Sequence, residues 1–256
     1  VNPLRRYEAI MEQLLASKEV TVADLSDQLQ VTGKTIREDL AKLEERGLLV
    51  RVHGGAVLAQ SEQLGILSVK EPVVKHSDEK AEVAERALRY IEPKDIIALD
   101  GGSTTLEIAR RLDNIPLTVI TNDVYIIGEL ARKPDIRLVV PGGYRVRNML
   151  TGPEAESYVR SLNVQKAFLS ATGVHPEYGF SIYTGDLIAF KRALLESTCT
   201  TYVVADHHKF GQFALRTFAE LKEVSRIITD SGLTESAAQP YTEAGVEVEY
   251  GDLPAD

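Results

Sequence analysis

The run Asp100-Gly101-Gly102-Ser103-Thr104-Thr105 places a carboxylate, two glycines and three hydroxyls ahead of a helical pattern. Glycine lets backbone N–H groups approach a ligand closely. Ser103, Thr104 and Thr105 add hydroxyl donors, and a helix N-terminus adds partial positive charge. That chemistry suits a phosphate group; it equally suits an ordinary helix cap, and the six residues alone leave both readings open. The spacing is not the G-x-G-x-x-G dinucleotide fingerprint, and no Gly-Lys-Ser/Thr follows as a Walker loop requires. Other candidates point to the same edge. Asn122, Gly143, Tyr144, Arg145, Thr172, Gly173, His207 and Lys209 all follow expected strands, where open α/β sheets bind ligands. Small-residue loops beside Arg145, Lys191 or Lys209 suit a phosphorylated, hydroxyl-rich ligand.

A second set lies near the N-terminus. Thr32, Lys34, Thr35, Arg37, Glu38 and Lys42 are the candidates on one expected helix, whose face opposite Ile36 and Leu40 carries Gly33, Lys34, Arg37, Glu38 and Ala41. Small and basic residues at the N-terminal end of such a helix suit entry into a DNA major groove. Arg51 and His53 fall on an expected hairpin, placed for backbone or minor-groove contact.

Other chemistry finds less support. His207 and His208 are adjacent, and consecutive residues rarely ligate one ion together, so no metal and no cofactor are expected. No Ser-His-Asp or Cys-His arrangement is assignable. Cys199 is the single cysteine, which excludes an internal disulfide and a thiolate zinc cluster, and it is expected to pack as a small residue. Asp100, Asp123, Asp186 and Asp206 would supply acid and base groups in the rival reading, a sugar-phosphate isomerase with an accessory DNA-binding module.

The elements that must position these residues follow from periodicity. Leu4, Tyr7, Ile10, Met11, Leu14 and Leu15 recur at helical spacing. Thr21 caps a second helix with Leu25 and Leu29 inward, and Gln30-Val31 makes a tight connection. Thr32 caps a third helix that ends before Gly47. Residues 48–58 alternate around His53-Gly54-Gly55 as a hairpin. Helix, helix, turn, helix, hairpin is a winged helix-turn-helix pattern. A linker over 59–76 follows. From 77 to 256, strands near Ile96, Leu117, Ile136, Ala167, Thr201, Arg226 and Val246 alternate with helices. This predicts α/β architecture with a doubly wound, mostly parallel sheet.

Composition bounds the rest. The 256 residues carry 44% hydrophobic and 26% charged side chains, as a globular chain does. No apolar run reaches the ~18 residues of a membrane span. No signal peptide is expected, and a cytoplasmic location fits. The formal net charge is −9, which opposes non-specific adhesion to nucleic acid. Through Val57, eight Lys and Arg face nine Asp and Glu, so the acidity belongs almost wholly to the second part.

Val20-Thr21-Val22-Ala23-Asp24-Leu25, Val31-Thr32, Thr35-Ile36-Arg37, Asp39-Leu40, Gly47 and His53-Gly54-Gly55-Ala56 resemble the winged helix of DeoR-type bacterial transcriptional regulators. Downstream, Asp78-Glu79-Lys80, the Asp100 to Thr105 run, Thr121-Asn122, Gly142-Gly143, Gly152-Pro153, Lys166-Ala167-Phe168, Gly173, Gly179, Lys191-Arg192-Ala193 and Asp206 with Lys209-Phe210-Gly211 resemble their sensor domain. The resemblance spans nearly the whole chain in order. It implies a repressor of a carbohydrate-catabolism operon, with a sensor domain similar in fold to ribose-5-phosphate isomerase and no catalysis. It further implies a phosphorylated-sugar effector at Gly101 to Thr105, Lys191 toward the ligand's anionic group, and a homodimer or homotetramer on double-stranded operator DNA. An activator role is the alternative that sequence does not separate. Two departures stand out. Arg37-Glu38-Asp39-Leu40 replaces the usual Arg-Arg-Asp-Leu, and His207-His208 stands where Ser often precedes the Lys.

Overall fold

The computed structural model describes residues 3–17, 19–45, 48–52, 54–58, 76–183 and 185–251. The chain divides into two compact units, Val1–Leu64 and Gly65–Asp256. His53 and the expected linker residues up to 75 lie outside the described residues.

In the first unit, α1 (Pro3–Ser17), β1 (Glu19–Thr21), α2 (Val22–Leu29), α3 (Gly33–Glu45), β2 (Leu49–Val52) and β3 (Gly55–Leu58) follow in order. Thr21 caps α2 by accepting from Asp24 N–H at 3.1 Å. Gln30 ends that helix in the left-handed conformation, with φ 52°. Thr32 then accepts from Thr35 N–H at 3.3 Å and starts α3. Tyr7, Ile10, Met11, Leu14, Leu25, Ile36, Leu40, Leu43, Leu48 and Leu49 are buried together as the core of the unit. Burial of one such large apolar side chain contributes roughly 1.5–3 kcal/mol. The expected hairpin is β2–β3, and β1 adds a third strand in the order β1-β3-β2. Sequence periodicity missed β1 because three residues, with only Val20 buried, carry no alternation signal. Gly55 is required there: a Cβ would sit 2.0 Å from the Val20 carbonyl oxygen of the neighbouring strand.

The second unit begins with α4 (Ser77–Leu88), β4 (Ile96–Leu99), α5 (Ser103–Arg111), β5 (Leu117–Ile120), α6 (Val124–Leu130) and β6 (Ile136–Val139). A hairpin follows, β7 (Tyr144–Val146) and β8 (Met149–Thr151), then α7 (Pro153–Arg160) and β9 (Val164–Ser170). Next come β10 (Gly173–His175), β11 (Gly179–Ile182), α8 (Ile188–Glu196), β12 (Thr198–Val204) and β13 (Arg216–Ala219). The unit closes with β14 (Arg226–Ile228), α9 (Glu235–Glu243) and β15 (Glu247–Glu249).

Seven strands form one sheet in the order β15-β14-β12-β9-β4-β5-β6, and every pairing in it is parallel. The chain winds outward from β4 in one direction and from β9 in the other, so the topological switch lies between β4 and β9. Side chains alternate across the sheet. Ile97, Leu99, Phe168 and Val204 pack with α4, α5 and α6 on one face. Ala98, Ala167, Leu169 and Val203 pack with residues of α7 and α8 on the other. That is the doubly wound arrangement the alternating elements predict. Three departures have local causes. The β7–β8 hairpin and the small sheet β10-β11-β13 consist of strands of three or four residues, too short to print a period of two. The expected helix from Asp186 starts as a 3-10 turn, Gly185–Leu187, before α8. Cys199 is exposed on β12 rather than packed, a correction that follows from its outward place near the start of that strand.

Candidate functional site

In the first unit, α3 turns Ile36, Leu40 and Leu43 inward and leaves Lys34, Arg37, Glu38 and Lys42 exposed. Lys34 Nζ lies 4.0 Å from Glu38 Oε1, an exposed i,i+4 pair that ties neither side chain down. Thr32 is exposed and Thr35 partly so, and their hydroxyls lie 3.0 Å apart at the start of α3. Arg51 on β2 is exposed but engaged: Glu44 accepts from its Nε at 2.6 Å and from its backbone N–H at 2.8 Å. The backbone N–H and guanidinium of Arg51 hold the Glu44 carboxyl below the usual range. Asp39, one residue beyond Glu38, is turned the other way. Arg6 donates to it from Nε at 2.7 Å and from a terminal nitrogen at 3.0 Å, with both residues buried. This pair fixes α1 against α3 and so orients the exposed face of α3.

In the second unit, the switch between β4 and β9 opens at Asp100 and Ser170. Asp100 is 2% exposed, and its Oδ2 accepts from the Ser170 N–H and hydroxyl, each at 3.1 Å. Lys191, reaching from α8, donates to the same oxygen and to the Ser170 carbonyl at 2.7 Å. Lys191 is therefore a buried counter-ion of Asp100, where the resemblance had it facing a ligand's charge. Gly101 and Gly102 are closely packed. A Cβ at Gly101 would meet the Met149 side chain at 1.8 Å, and one at Gly102 would meet Ser170 at 2.7 Å. Thr105 is bonded back to the Gly102 carbonyl at 3.0 Å. No side chain caps α5, so the N-terminal backbone N–H groups from Ser103 onward face the loop edge.

The β7–β8 hairpin folds over the next loop. Asn122 donates to the Leu150 carbonyl at 2.9 Å, and Asn148 donates to Asp123 Oδ2 at 2.6 Å. Asp123 caps α6 through the N–H groups of Tyr125 and Ile126. Burial pushes its carboxyl up to about 6; hydrogen bonds from Ile126, Tyr125 and Asn148 oppose the rise, and the charge of Asp100 adds to it. Arg147, at the hairpin turn with φ 58°, is half-buried, and desolvation lowers its pKa while Asp186 opposes the fall. Arg145 and Tyr144 are exposed on β7; Arg145 Nε donates to the Arg147 carbonyl at 2.5 Å. Gly143 takes φ +97° where its Cβ would press on the Thr151 carbonyl.

After β12, Asp206 caps the turn His207–Lys209 by accepting from His208 N–H at 3.2 Å. His207 Nδ1 lies 2.5 Å from Asp230 Oδ1. Burial pushes the Asp230 carboxyl up, but the His207 N–H and ring and the Gly232 N–H outweigh it and hold it low. Lys209 forms no ion pair among the described residues and is partly exposed.

The expected set thus resolves into parts. Asp100, Gly101, Gly102, Ser103, Thr104, Thr105, Asn122, Thr172, Gly173, Lys191, His207 and Lys209 lie at the carboxyl ends of β5, β4, β9 and β12 or pack directly beneath them. Gly143, Tyr144 and Arg145 belong to the hairpin above. Sequence reading missed Asn148, Met149 and Arg147, which sit on a hairpin with no sequence signal, and named Asp123 only for the rival enzyme reading, where the structure makes it the cap of α6. The shared property of the edge is unmet polarity. Among the described residues, the buried side-chain atoms with no protein hydrogen-bond partner include Asn122 Oδ1, Asn148 Oδ1, Thr172 Oγ1 and Asp206 Oδ2. Buried polar atoms are nearly always satisfied, so these four call for partners beyond the protein's own groups, water or a polar ligand.

Comparison with known proteins completes the assignment. A family model described as the DeoR C terminal sensor domain matches residues 75–231, and one described as the DeoR-like helix-turn-helix domain matches residues 6–62. The HTH-type transcriptional regulator YulB of Bacillus subtilis is 35% identical over 95% of this chain and 95% of that protein. Transcriptional repressor AccR of Agrobacterium fabrum is 34% identical over 89% of each chain. The ribose 5-phosphate isomerase A structure from Methanocaldococcus jannaschii aligns with TM-score 0.40 and 18% identity, over 53% of this chain and 55% of that one. YulB and AccR are named as regulators, not enzymes, and no helix among the described residues is long and apolar enough to cross a membrane. The chain belongs to the DeoR family of helix-turn-helix transcriptional regulators.

Proposed function

We propose that the protein is a cytoplasmic, homo-oligomeric repressor of a carbohydrate-catabolism operon. It binds operator DNA through α3 and the β2–β3 wing and is released by a phosphorylated sugar or related anionic metabolite. Residues 1–58 form the DNA-binding module and 77–256 the effector-binding domain. The carrying observation is the set of buried, unpartnered polar atoms along β5, β9 and β12, beside the uncapped N-terminus of α5. Backbone N–H groups and hydroxyls there suit phosphate and sugar oxygens. The Asp100 charge, which would repel an anion, is cancelled by Lys191. AccR, a relative, is named a repressor, which supports the sign of regulation.

Asp100, Asp123 and Asp206, three of the carboxylates an isomerase would use, are engaged in holding Ser170, α6 and the His207–Lys209 turn. The effector lowers the DNA-bound population only through unequal affinity for two arrangements of the protein. A near-complete shift needs roughly 5 kcal/mol of differential binding. A thermal-shift screen of phosphorylated sugars, with hits carried into a DNA-release assay, tests the reading. A panel of anionic metabolites that leaves the melting curve unmoved would defeat it.

A further inference from the structure

His208 has two partners remote in sequence. His76 and Glu79, one turn apart at the start of α4, converge on it from the opposite end of the sequence of this unit. His76 Nδ1 lies 3.4 Å from Glu79 Oε1, and His208 Nε2 lies 3.5 Å from the same oxygen. One donor atom from each of the three residues lies within 4.8 Å of the others. For a divalent ion bound by imidazole nitrogen and carboxylate oxygen at 2.0–2.2 Å, a tetrahedral edge is ~3.4 Å. Two of the three separations already have that length, and the third is within 4.8 Å.

The surroundings hold these donors in place. The His76 and His208 rings stand 4.0 Å apart, and the His207 ring packs on His208 at 3.9 Å. His207 is itself anchored, its backbone N–H donating to Asp230 at 2.7 Å and its ring meeting the same carboxylate. His76 adopts a left-handed φ of 57° just ahead of α4, a conformation rare for residues other than glycine. Its carbonyl accepts from Lys80 N–H at 3.1 Å, so the backbone that carries the ring is fixed to the first turn of the helix.

We propose that His76, Glu79 and His208 form a binding site for one divalent transition-metal ion of the zinc class. Two imidazoles and one carboxylate favour zinc, cobalt or nickel over magnesium or calcium, which take oxygen ligands. Three protein ligands leave a coordination position open to solvent or a small ligand, and His208 is 43% exposed at its side chain. The ion bolts the entry of α4 to the turn after β12, and so stabilises the folded unit by binding it and not the unfolded chain. This site is independent of the effector reading, because none of its three ligands belongs to the Gly101–Thr105 loop.

The test uses the full-length, tag-free chain, stripped with a chelator and titrated with Zn2+ by calorimetry and with Co2+ by visible absorption. One ion per chain is expected, with a rise in melting temperature and a cobalt d–d band. Glu79→Gln and His208→Ala each weaken binding at least tenfold and remove the band. His175→Ala, whose ring nitrogen is occupied by the N–H groups of Glu177 and Tyr178, leaves both intact. Metal-free melting curves show that the variants fold; should Glu79→Gln not fold, His76→Gln and His208→Gln carry the comparison. Absence of one-to-one uptake, or uptake unchanged in the folded ligand variants, overturns the proposal. No sugar phosphate enters the experiment, so its failure leaves the effector reading untouched.

Discussion

Lys191 and Asp100 form a buried ion pair at the switch between β4 and β9, each side chain only 3% exposed. The pair joins α8 to the loop that opens α5, and Ser170 shares both partners. Its first consequence concerns stability. Removing one member of a buried pair leaves the other charge uncompensated, at a cost of roughly 3–5 kcal/mol. Lys191→Ala is therefore expected to lower stability by that order in denaturant titration. The double variant Asp100→Asn/Lys191→Met recovers much of the loss. Losses that simply add in the double variant would show that the pair is not coupled.

Asp123 carries a pH signature. Its carboxyl rises from 3.8 to about 6 because it is buried. The folded state therefore holds the proton more tightly than the unfolded chain. The resulting stabilisation is fully present below about pH 4 and is lost as pH rises through about 6. Asp123→Asn keeps a capping oxygen for α6 and removes the cost of the buried charge. Its stability relative to the parent should rise between pH 4 and 7 by about 2 kcal/mol. A difference that is flat across that range in thermal denaturation would contradict the assignment.

Arg147 is a half-buried cation at the turn of the β7–β8 hairpin, whereas Arg145 is exposed and Lys191 is neutralised by Asp100. A desolvated guanidinium suits a phosphate in two-point contact. Arg147→Met is expected to weaken anionic effector binding at least tenfold by calorimetry, with DNA affinity in its absence unchanged. Unaltered effector affinity would remove Arg147 from the site.

On α3, Arg37 is exposed and Glu38 stands where the family usually carries a second Arg. Arg37→Ala should cost about 1–3 kcal/mol if it reads a base, or lower the salt slope by about one if it holds a phosphate. We propose that Glu38, exposed on α3, accepts from a cytosine amine. Glu38→Arg then tightens DNA binding while reducing discrimination between half-site variants. Unchanged discrimination across a substitution series would refute that role.

Much of this was legible from spacing. Thr21 and Thr32 cap the helices they were expected to cap, and Ile36, Leu40 and Leu43 lie inward as their i, i+4, i+7 spacing requires. The parallel sheet follows from alternation of short apolar runs with amphipathic helices. What spacing did not show was partnership between distant residues. Asp39 stands beside Glu38 in the resemblance motif, and nothing in the spacing pairs it with Arg6, against which it is buried. Lys191 reads as a free cation, yet Asp100 holds it. Asn148 and Met149 carry no sequence signal, yet they close over Asp123 and Gly101. The acidity of the chain also gains a place: with the first unit nearly neutral, the proposed DNA contacts come down to a few exposed cations of α3. It should therefore be salt-dependent through a small number of phosphate contacts.

The central claim is that a phosphorylated sugar held at the Gly101–Thr105 edge releases the protein from DNA. The direct measurement is fluorescence anisotropy of labelled DNA from upstream of its own operon, titrated with phosphorylated sugars against the parent chain and Ser103→Ala. The expected result is release by at least one sugar phosphate, no release by its unphosphorylated counterpart, and a response shifted to higher concentration in Ser103→Ala with DNA affinity intact. Release at equal concentrations from parent and Ser103→Ala, or by the unphosphorylated sugar alone, would contradict it.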